Sequence, residues 1–287
     1  LSLGWVISLL QRSWASWERI REVLEREPAI ADPAPLRGQA ASAGGDVAFD
    51  HVTVKAGAAT LLDDVCLAVP EGTRVGITGP TGSGKTVLVS LLPRLWDVSS
   101  GAVRIGGRDV REVPLADLRG RIGMAEQEPM LFSDSMANNI AFGTPDPTEA
   151  TILAAADVAH LHADVEQLPR QYETLVGERG VSLSGGQRQR TSIGRALARN
   201  PDLLILDDVL AAVDTETEAA ILRKLQPVFS TRTTLLVSHR VSTLVAMDVI
   251  WVLENGRVTQ QGTHAELIRQ PGYYRRLHEM QQLAAVL

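Results

Sequence analysis

Apolar residues follow two different periods along the chain. From Val6 to Leu24 they recur at steps of three and four, which predicts a helix with one apolar face over residues 1–27. Residues 28–45 are rich in Pro, Ala and Gly without a period, which predicts a linker. Beyond them, short apolar runs alternate with helical stretches, so we predict an α/β domain with a parallel sheet over residues 46–287.

A purely helical pattern interrupts the alternating one. In the first part of the domain, VAFDHVTV and LLDDVCLAV have the pattern of strands, and TRVGITG that of a short buried strand. The stretch KTVLVSLLPRLW predicts a helix that continues through a proline. Residues 133–200 carry helical patterns without a convincing strand, which predicts a helical insert. Strand patterns then return in LLILDD, TTLLVSH and VIWVLENGRV.

Composition and charge exclude some classes of protein. A chain of 287 residues with 45% hydrophobic residues can bury one or two cores of ordinary size. Its net charge of -6 provides no broad positive field, so we expect no nucleic-acid partner. It has no run of about 18 apolar residues that would cross a bilayer by itself. The single cysteine, Cys66, cannot form an internal disulfide, and its setting in VCLAV predicts a small buried hydrophobe.

A glycine-rich stretch, GPTGSGKT, matches the pattern G-x-x-x-x-G-K-[ST] between a predicted strand and a predicted helix. Glycines let the backbone form a concavity of N–H donors, which favours a bound phosphate. The lysine would reach the β- and γ-phosphates, and the threonine hydroxyl would contact Mg²⁺. This phosphate loop predicts ATP and Mg²⁺ as cofactors, and its residues are Gly79, Pro80, Thr81, Gly82, Ser83, Gly84, Lys85 and Thr86.

The stretch LSGGQ predicts a second anion-binding helix start. Ser184 is a good N-cap, and Gln187 three residues later completes a capping box. Gly185 and Gly186 leave the first amides of the helix uncovered for a phosphate. An ordinary capped helix would explain the serine and the glutamine, but it gives no reason for two glycines that lower helix propensity.

Polar residues also follow three predicted strands. Asp207 closes LLILD, Gln127 follows RIGMA and His239 follows TTLLVS. All three should meet at the edge of the sheet where α/β folds bind ligands, and there Asp207 can meet Mg²⁺ beside the phosphate loop. Taken singly, Gln127 and His239 also fit structural polar residues, and that alternative stays open.

Together these motifs, in this order, resemble the ATP-binding cassette family. TLVGERG and GTHAELIRQPGYYRRLHEMQ are similar to its exporter branch, in which the cassette follows six membrane helices. The resemblance implies a P-loop NTPase (RecA-like) α/β core with an antiparallel β subdomain and an α-helical insert. It also implies an ATPase that powers export across the cell membrane from the cytoplasmic face.

Pairing follows from the same resemblance, because two cassettes of this family bind ATP head to tail between them. The opening LGWVISLLQRSWASWERIREVLE resembles the end of the sixth membrane helix, so we expect a membrane domain missing from this chain and a second half-transporter as partner. Residues 184–187 would then serve the ATP of the partner. The resemblance assigns catalysis to Asp208, His239 and Gln127, and Mg²⁺ to Thr86, Gln127 and Asp207.

The chain departs from the family at three places. Asp208 stands where the family usually has a glutamate, so its carboxylate is drawn back by roughly 1.5 Å. A displacement of about 1 Å can cost on the order of 10²-fold in rate, so we expect slow hydrolysis at this site rather than lost binding. The alternative, that Asp208 still works as a base through a shifted water, stays open. Ala56 lies near the usual adenine-stacking aromatic, and AAVD at residues 211–214 replaces the common SALD of the D-loop. This asymmetry, with LSGGQ intact, resembles the degenerate-site half of a heterodimeric exporter.

Other readings stay open at this point. A nucleotide-binding regulatory module without hydrolysis would carry the same loop. Chromosome-maintenance ATPases have long heptad coiled coils, which are absent from this sequence, and ribosome-acting members normally have two cassettes and a basic surface. An importer cassette would not need the amphipathic opening helix.

Overall fold

The computed structural model describes residues 2–32, 44–177 and 181–286. The described residues divide into two compact units, the first up to residue 31 and the second from residue 32 onward. Most of the predicted linker, from residue 33 to 43, lies outside the described residues, as does the end of the TLVGERG stretch.

The first unit consists of one helix, α1 (Ser2–Leu24), which ends slightly before the predicted boundary at residue 27. Large apolar side chains on this helix are exposed, among them Trp5, Trp14 and Trp17. Across the residues that the structure describes, no helix combines the length and the apolar character needed to cross a membrane.

The second unit contains all ten strands and the remaining helices of the described residues. The strands are β1 (Val47–Ala56), β2 (Ala59–Val69), β3 (Arg74–Thr78), β4 (Ser100–Ile105), β5 (Arg108–Asp109), β6 (Ile122–Ala125), β7 (Leu203–Asp207), β8 (Thr233–Val237), β9 (Val249–Glu254) and β10 (Arg257–Gly262). The helices are α2 (Lys85–Ser90), α3 (Leu115–Gly120), α4 (Met136–Ala141), α5 (Glu149–Val158), α6 (His162–Glu166), α7 (Gly185–Ala198), α8 (Thr215–Phe229), α9 (Val241–Leu244), α10 (His264–Leu267) and α11 (Tyr273–Val286), and there are 3-10 turns at Val110–Glu112 and Gln171–Glu173.

Two sheets organise this unit. The larger has the order β10-β9-β3-β8-β7-β6, with parallel pairing from β9 to β6 and an antiparallel edge at β10. The smaller is antiparallel, with the order β2-β1-β4-β5. Because β3, β6, β7 and β8 run in the same direction, their carboxyl ends share one edge of the larger sheet, where ligands of such folds bind.

Alternation along the strands divides the core between the two faces of the larger sheet. In β7, Leu204 and Leu206 join one apolar cluster, whereas Leu203 and Ile205 join the other. The smaller sheet packs into the second cluster, where Phe49 meets Trp251 edge to face with ring centroids 6.4 Å apart. Between β6 and β7 the described residues form the helices α4 to α7 and isolated β-bridges.

The structure corrects two local predictions. The helix predicted in KTVLVSLLPRLW ends at Ser90 instead of continuing through the proline. Pro93 has no N–H to continue the helical ladder, and the chain turns with the Arg94 N–H donating to the Leu91 carbonyl at 3.1 Å. Cys66 is exposed rather than buried, because strand alternation turns Val65 and Leu67 into the core and the residue between them outward.

Candidate active site

The phosphate loop connects β3 to α2 and depends on glycine at two close approaches. A side chain at Gly79 would place its Cβ 1.9 Å from the Leu253 carbonyl oxygen, and one at Gly84 would lie 2.7 Å from the Leu61 carbonyl oxygen. Both glycines also have positive φ, 145° and 99°, which other residues rarely adopt. The loop therefore holds its curvature only with glycine at these positions.

Lys85 folds back over this loop. Its ammonium donates to the carbonyl oxygens of Gly79 at 2.9 Å and Pro80 at 2.8 Å, and Ser83 Oγ lies 3.4 Å away. Burial lowers the pKa of Lys85, and the carboxylates of Asp208 and Asp207 oppose that shift. The Lys85 ammonium is therefore held against the backbone of the phosphate loop.

The predicted strand-end residues come together with the loop in one cleft of about 280 Å³. They arrive from the ends of β6, β7 and β8, which lie beside β3 on the same sheet edge. Gly79, Pro80 and Ser83 are not on the wall of the cleft and instead support Lys85. The walls are formed by Leu61, Thr81, Gly82, Gly84, Lys85, Thr86, Val87, Gln127, Asp207, Asp208, Val237 and His239.

Asp207 has an oxygen without a hydrogen-bond partner in this cleft. The residue is 2% exposed, and its Oδ1 makes no hydrogen bond among the described residues. Burial raises the pKa of Asp207, whereas hydrogen bonding from the Thr86 hydroxyl lowers it. Mg²⁺ prefers oxygen ligands, and a buried carboxylate oxygen that accepts no hydrogen bond, beside a hydroxyl, is suited to bind it.

Asp208 has a left-handed backbone, with φ of 49°, and its N–H donates to the Val237 carbonyl at 3.0 Å. Burial raises the pKa of Asp208, and the electrostatic interactions with His239 and Lys85 and a hydrogen bond from the His239 backbone act to lower it. Burial and the charge of Lys85 lower the pKa of His239, and Asp208 opposes the change. The two side chains therefore influence each other electrostatically across the cleft.

The LSGGQ stretch forms the predicted capping box at the start of α7. The Gln187 N–H donates to Ser184 Oγ at 3.2 Å, and the Ser184 N–H donates to Gln187 Oε1 at 3.0 Å. A Cβ on Gly186 would lie 3.2 Å from the Ala212 carbonyl oxygen, so the glycine also leaves room for the D-loop. None of residues 184–187 lines the phosphate-loop cleft.

A separate cavity of about 480 Å³ lies beside this helix start, and Gln127 lines both cavities. Gly185, Gln189 and Ala212 contribute to its walls, and the Ala212 N–H donates to Gln189 Oε1 at 3.0 Å. The structure therefore places the signature and the D-loop together, apart from the phosphate loop. Ala56 is exposed at the end of β1 and does not line the cleft, whereas Leu61 does.

Sequence reasoning missed a buried ion pair between Glu218 and Arg240. Glu218 on α8 is 2% exposed and accepts from Arg240 and from the hydroxyls of Ser242 and Thr243. The signal was present, because Glu218 precedes Ile221 by three residues on the buried stripe of α8. A carboxylate on such a stripe needs a partner, which only the fold could identify.

Residues 62–211 match the family model described as ABC transporter. The chain belongs to the ABC transporter family. Its cassette has the P-loop NTPase core predicted for it and is an ATP-binding ATPase domain.

Two curated bacterial relatives match nearly the whole chain. The probable multidrug resistance ABC transporter ATP-binding/permease protein YheI of Bacillus subtilis (strain 168) is 40% identical over 98% of this chain and 48% of its own length. The multidrug resistance-like ATP-binding protein MdlA of Escherichia coli (strain K12) is 42% identical over 100% of this chain and 48% of its own length. The chain thus spans about half the length of these relatives.

A solved structure of a bacterial Atm1-family ABC exporter with ATP bound is also similar to the chain. It matches with a TM-score of 0.88 and 35% sequence identity, over 97% of this chain and 49% of that chain. This likeness confirms the predicted fold class, and with the relatives it confirms that the cassette is homologous to exporter-type ABC proteins.

Proposed function

We propose that this cassette binds ATP with Mg²⁺ in the cleft beside Lys85 and powers export as one half of a paired transporter. One observation carries the proposal: Lys85, Asp207, Asp208 and His239 line a single cleft, while the signature of residues 184–187 lies outside it. A phosphate in the cleft therefore needs its second set of backbone donors from another cassette, which supports head-to-tail pairing.

The triphosphate binds along the loop. Backbone N–H groups of the loop residues on the cleft wall surround the phosphates, and Lys85 exchanges its contacts with Gly79 and Pro80 for phosphate oxygens. Leu61 and Val87 supply apolar surface at the wall of the same cleft. ATP binding therefore combines hydrogen bonds to the phosphates with a small apolar contact surface.

Thr86, Asp207 and Gln127 are the residues that would hold Mg²⁺. The partnerless Oδ1 of Asp207 supports this assignment, as does the oxygen chemistry of the other two side chains. Across residues 2–32, 44–177 and 181–286, no group of three or more His, Cys, Asp or Glu side chains is placed to hold a metal. A site with one carboxylate, one hydroxyl and one amide oxygen suits an ion whose other ligands are phosphate oxygens and water. When bound, Mg²⁺ would neutralise charge that develops on the phosphates.

Asp208 and His239 serve hydrolysis in this proposal. Asp208 orients or deprotonates the attacking water, and His239 donates toward the γ-phosphate from the end of β8. The Asp208 carboxylate is about one C–C bond shorter in reach than a glutamate, roughly 1.5 Å, so turnover at this cleft is slow. The other composite site, which uses this chain's intact signature, is the faster one in a heterodimer.

The membrane part of the proposal comes from the relatives. YheI is named as an ATP-binding/permease protein, and this chain matches only 48% of its length. We assign residues 1–27 to the end of the last membrane or intracellular helix, residues 28–45 to the linker, and residues 46–287 to the cassette, with its helical subdomain at about 133–200. The cassette then lies at the cytoplasmic face of the cell membrane, and the transported substrate is chosen by the membrane domains.

ATP turnover by the chain and by Asp208→Glu tests this proposal, at a protein concentration that allows pairing. We expect the glutamate to raise turnover well above the parent rate, because it restores the reach of the carboxylate. Lys85→Ala is the control and should abolish ATP binding. Brisk hydrolysis by both the parent and Asp208→Glu would contradict the degenerate site. Tight ATP binding with no turnover, even in the presence of a partner cassette, would favour the regulatory module.

A further inference from the structure

The C-terminal helix α11 contacts the backbone that carries His239. The carboxamide of Gln281 donates from Nε2 to the His239 carbonyl oxygen at 2.6 Å and accepts at Oε1 from the Val241 N–H at 2.9 Å. A carbonyl only accepts and an N–H only donates, so the two contacts fix the orientation of the amide. One side chain thus bridges the peptides on both sides of Arg240.

Docking of α11 does not depend on this bridge. Tyr274 is fully buried and Leu277 nearly so, and both belong to the apolar cluster beneath the helix. The Tyr274 hydroxyl also lies 2.8 Å from His264 Nδ1 on α10. These contacts anchor the beginning of the helix, and Gln281 lies about two turns further along it than Tyr274.

The segment that follows β8 is fixed from several directions. Its start is held by the Ser238 N–H, which donates to the Ile77 carbonyl at 3.0 Å, and by the Arg240 N–H, which donates to Ser238 Oγ at 3.0 Å. The Arg240 side chain is held by Glu218. For the His239 carbonyl and the Val241 N–H, the side-chain partner is Gln281. His239 meanwhile lines the cleft, and its imidazole interacts electrostatically with Lys85 and Asp208 there.

We propose that Gln281 is a positioning residue for hydrolysis, which acts through the backbone of His239 to aim its imidazole into the cleft. This inference rests on the proposed role of His239. Loss of the bridge lets the peptide rotate and displaces the imidazole, and a displacement of about 1 Å costs on the order of 10²-fold where geometry sets the rate. Gln281 itself lies outside the residues that line the cleft, so ATP affinity should be preserved.

Single-turnover hydrolysis and ATP affinity of Gln281→Leu test the proposal. We expect hydrolysis to slow by roughly ten- to a hundredfold, with ATP affinity unchanged, because the placement of His239 is lost. Gln282→Leu is the matched control, since it introduces the same side chain at the neighbouring exposed position of α11. In a His239→Ala background, Gln281→Leu should have no further effect on turnover, because the two residues act as a unit.

Imidazole NMR signals provide a readout that does not require turnover. The chain has six histidines, and substitution to alanine assigns each signal. We expect Gln281→Leu to shift or broaden the signal of His239, and to leave those of His264 and His278 in place. Movement of His264 and His278 as well would mean that Gln281 docks the helix, which overturns the proposal.

The possible failures are distinguishable. If His239→Ala hydrolyses ATP at the parent rate, the proposed role of His239 is wrong, and the inference about Gln281 fails with it. If His239→Ala loses turnover while Gln281→Leu keeps the parent rate and the parent His239 signal, the inference alone is overturned. If the losses of turnover in Gln281→Leu and His239→Ala add in the double variant, the inference is also contradicted.

Discussion

Arg240 directs its guanidinium to the buried carboxylate of Glu218 and to the carbonyl oxygens of Ala211 and Val213, at 3.2 and 3.0 Å. The residue therefore connects the segment that carries His239 to the D-loop that follows Asp208. Because Glu218 is 2% exposed, this cation and two hydroxyl donors replace the water that would otherwise contact its carboxylate. A contact so placed contributes to the stability of the cassette as well as to the geometry of its cleft.

Removal of Arg240 should destabilise the fold. Arg240→Leu leaves the Glu218 carboxylate buried without its cation, and we expect a loss of about 3 kcal/mol in the free energy of unfolding. Urea denaturation measures that loss. Arg223→Leu changes an exposed arginine on α8 and should stay within about 0.5 kcal/mol of the parent. Glu218→Gln combined with Arg240→Leu should recover part of the loss, and equal losses in the single and double variants would argue against a charge effect.

The loop geometry predicts that Gly79→Ala abolishes ATP binding. The new Cβ would lie 1.9 Å from the Leu253 carbonyl oxygen, so the loop must move away from its phosphate-binding shape. Thermal unfolding with and without ATP checks this, since ligand binding raises the melting temperature.

Gly57→Ala is the control for backbone strain alone. Its φ is also positive, at 59°, but a Cβ there meets nothing within 4 Å. It should cost about 1 kcal/mol of stability and keep the ATP-dependent shift. Preservation of that shift in Gly79→Ala would contradict the assigned role of the loop.

The separation of the signature from the cleft predicts complementation between two variants. Lys85→Ala disables the phosphate loop, and Gly185→Asp places a negative charge at the signature, where a Cβ makes only ordinary contact with Ala212 at 3.7 Å. Each variant alone should be inactive. An equal mixture should recover about a quarter of parental turnover, because half of the dimers are mixed and each of these has one intact composite site.

Titration of ATP against dilute single chains completes this experiment. Gly185→Asp should bind ATP as tightly as the parent does, since residues 184–187 do not line the cleft. If Gly185→Asp weakens binding as much as Lys85→Ala does, the signature serves its own cleft and the pairing scheme is wrong.

The ion pair between Arg74 and Asp248 predicts how the stability of the fold depends on pH. Arg74 begins β3, at the end of the strand away from the phosphate loop. Hydrogen bonding from the Arg74 side chain holds the pKa of Asp248 below its ordinary value, and the Arg74 N–H also donates to Asp248 at 2.9 Å. A carboxylate with a lowered folded pKa contributes stability that is fully present above its unfolded pKa. That contribution is lost as the pH falls through the folded value.

Asp248→Asn should therefore be less stable than the parent at pH 7, and the difference should shrink below about pH 4. Urea denaturation across this range measures the difference. In an Arg74→Gln background, the same substitution should change the pH dependence much less. A difference that is constant from pH 7 to pH 3 would show that the charge of Asp248 is not responsible.

Local patterns predicted the parts of the site that are continuous in the chain. The phosphate loop at residues 79–86 and the capping box of Ser184 and Gln187 need only neighbouring residues and backbone geometry, so their sequence spacing identifies them. Gln127, Asp207 and His239 were predicted at one sheet edge because each lies at the end of a predicted strand, and the structure brings all three to the wall of one cleft. Their roles in catalysis and in metal binding stay predictions.

Predictions failed where three-dimensional packing decides. Cys66 was placed inside from the apolar run around it, yet the pleat of β2 turns every second side chain outward. The helix after the loop was extended past Pro93 because an apolar pattern continues there, although the backbone turns after Ser90. In both cases the hydrophobicity of the neighbouring residues gave the wrong prediction, because the direction of the backbone decides where each side chain points.

The sequence by itself determined the family, the cassette fold and the chemistry available at the phosphate loop, because these depend on motifs with fixed spacing. The tertiary structure alone decided which distant residues meet: Glu218 with Arg240, Gln281 with the backbone of His239, and Gly186 with Ala212. Those contacts join residues about 20 to 40 positions apart, and no local period encodes them. The first two form because polar groups removed from water require a partner, and the third because a glycine lets the D-loop approach the helix start closely.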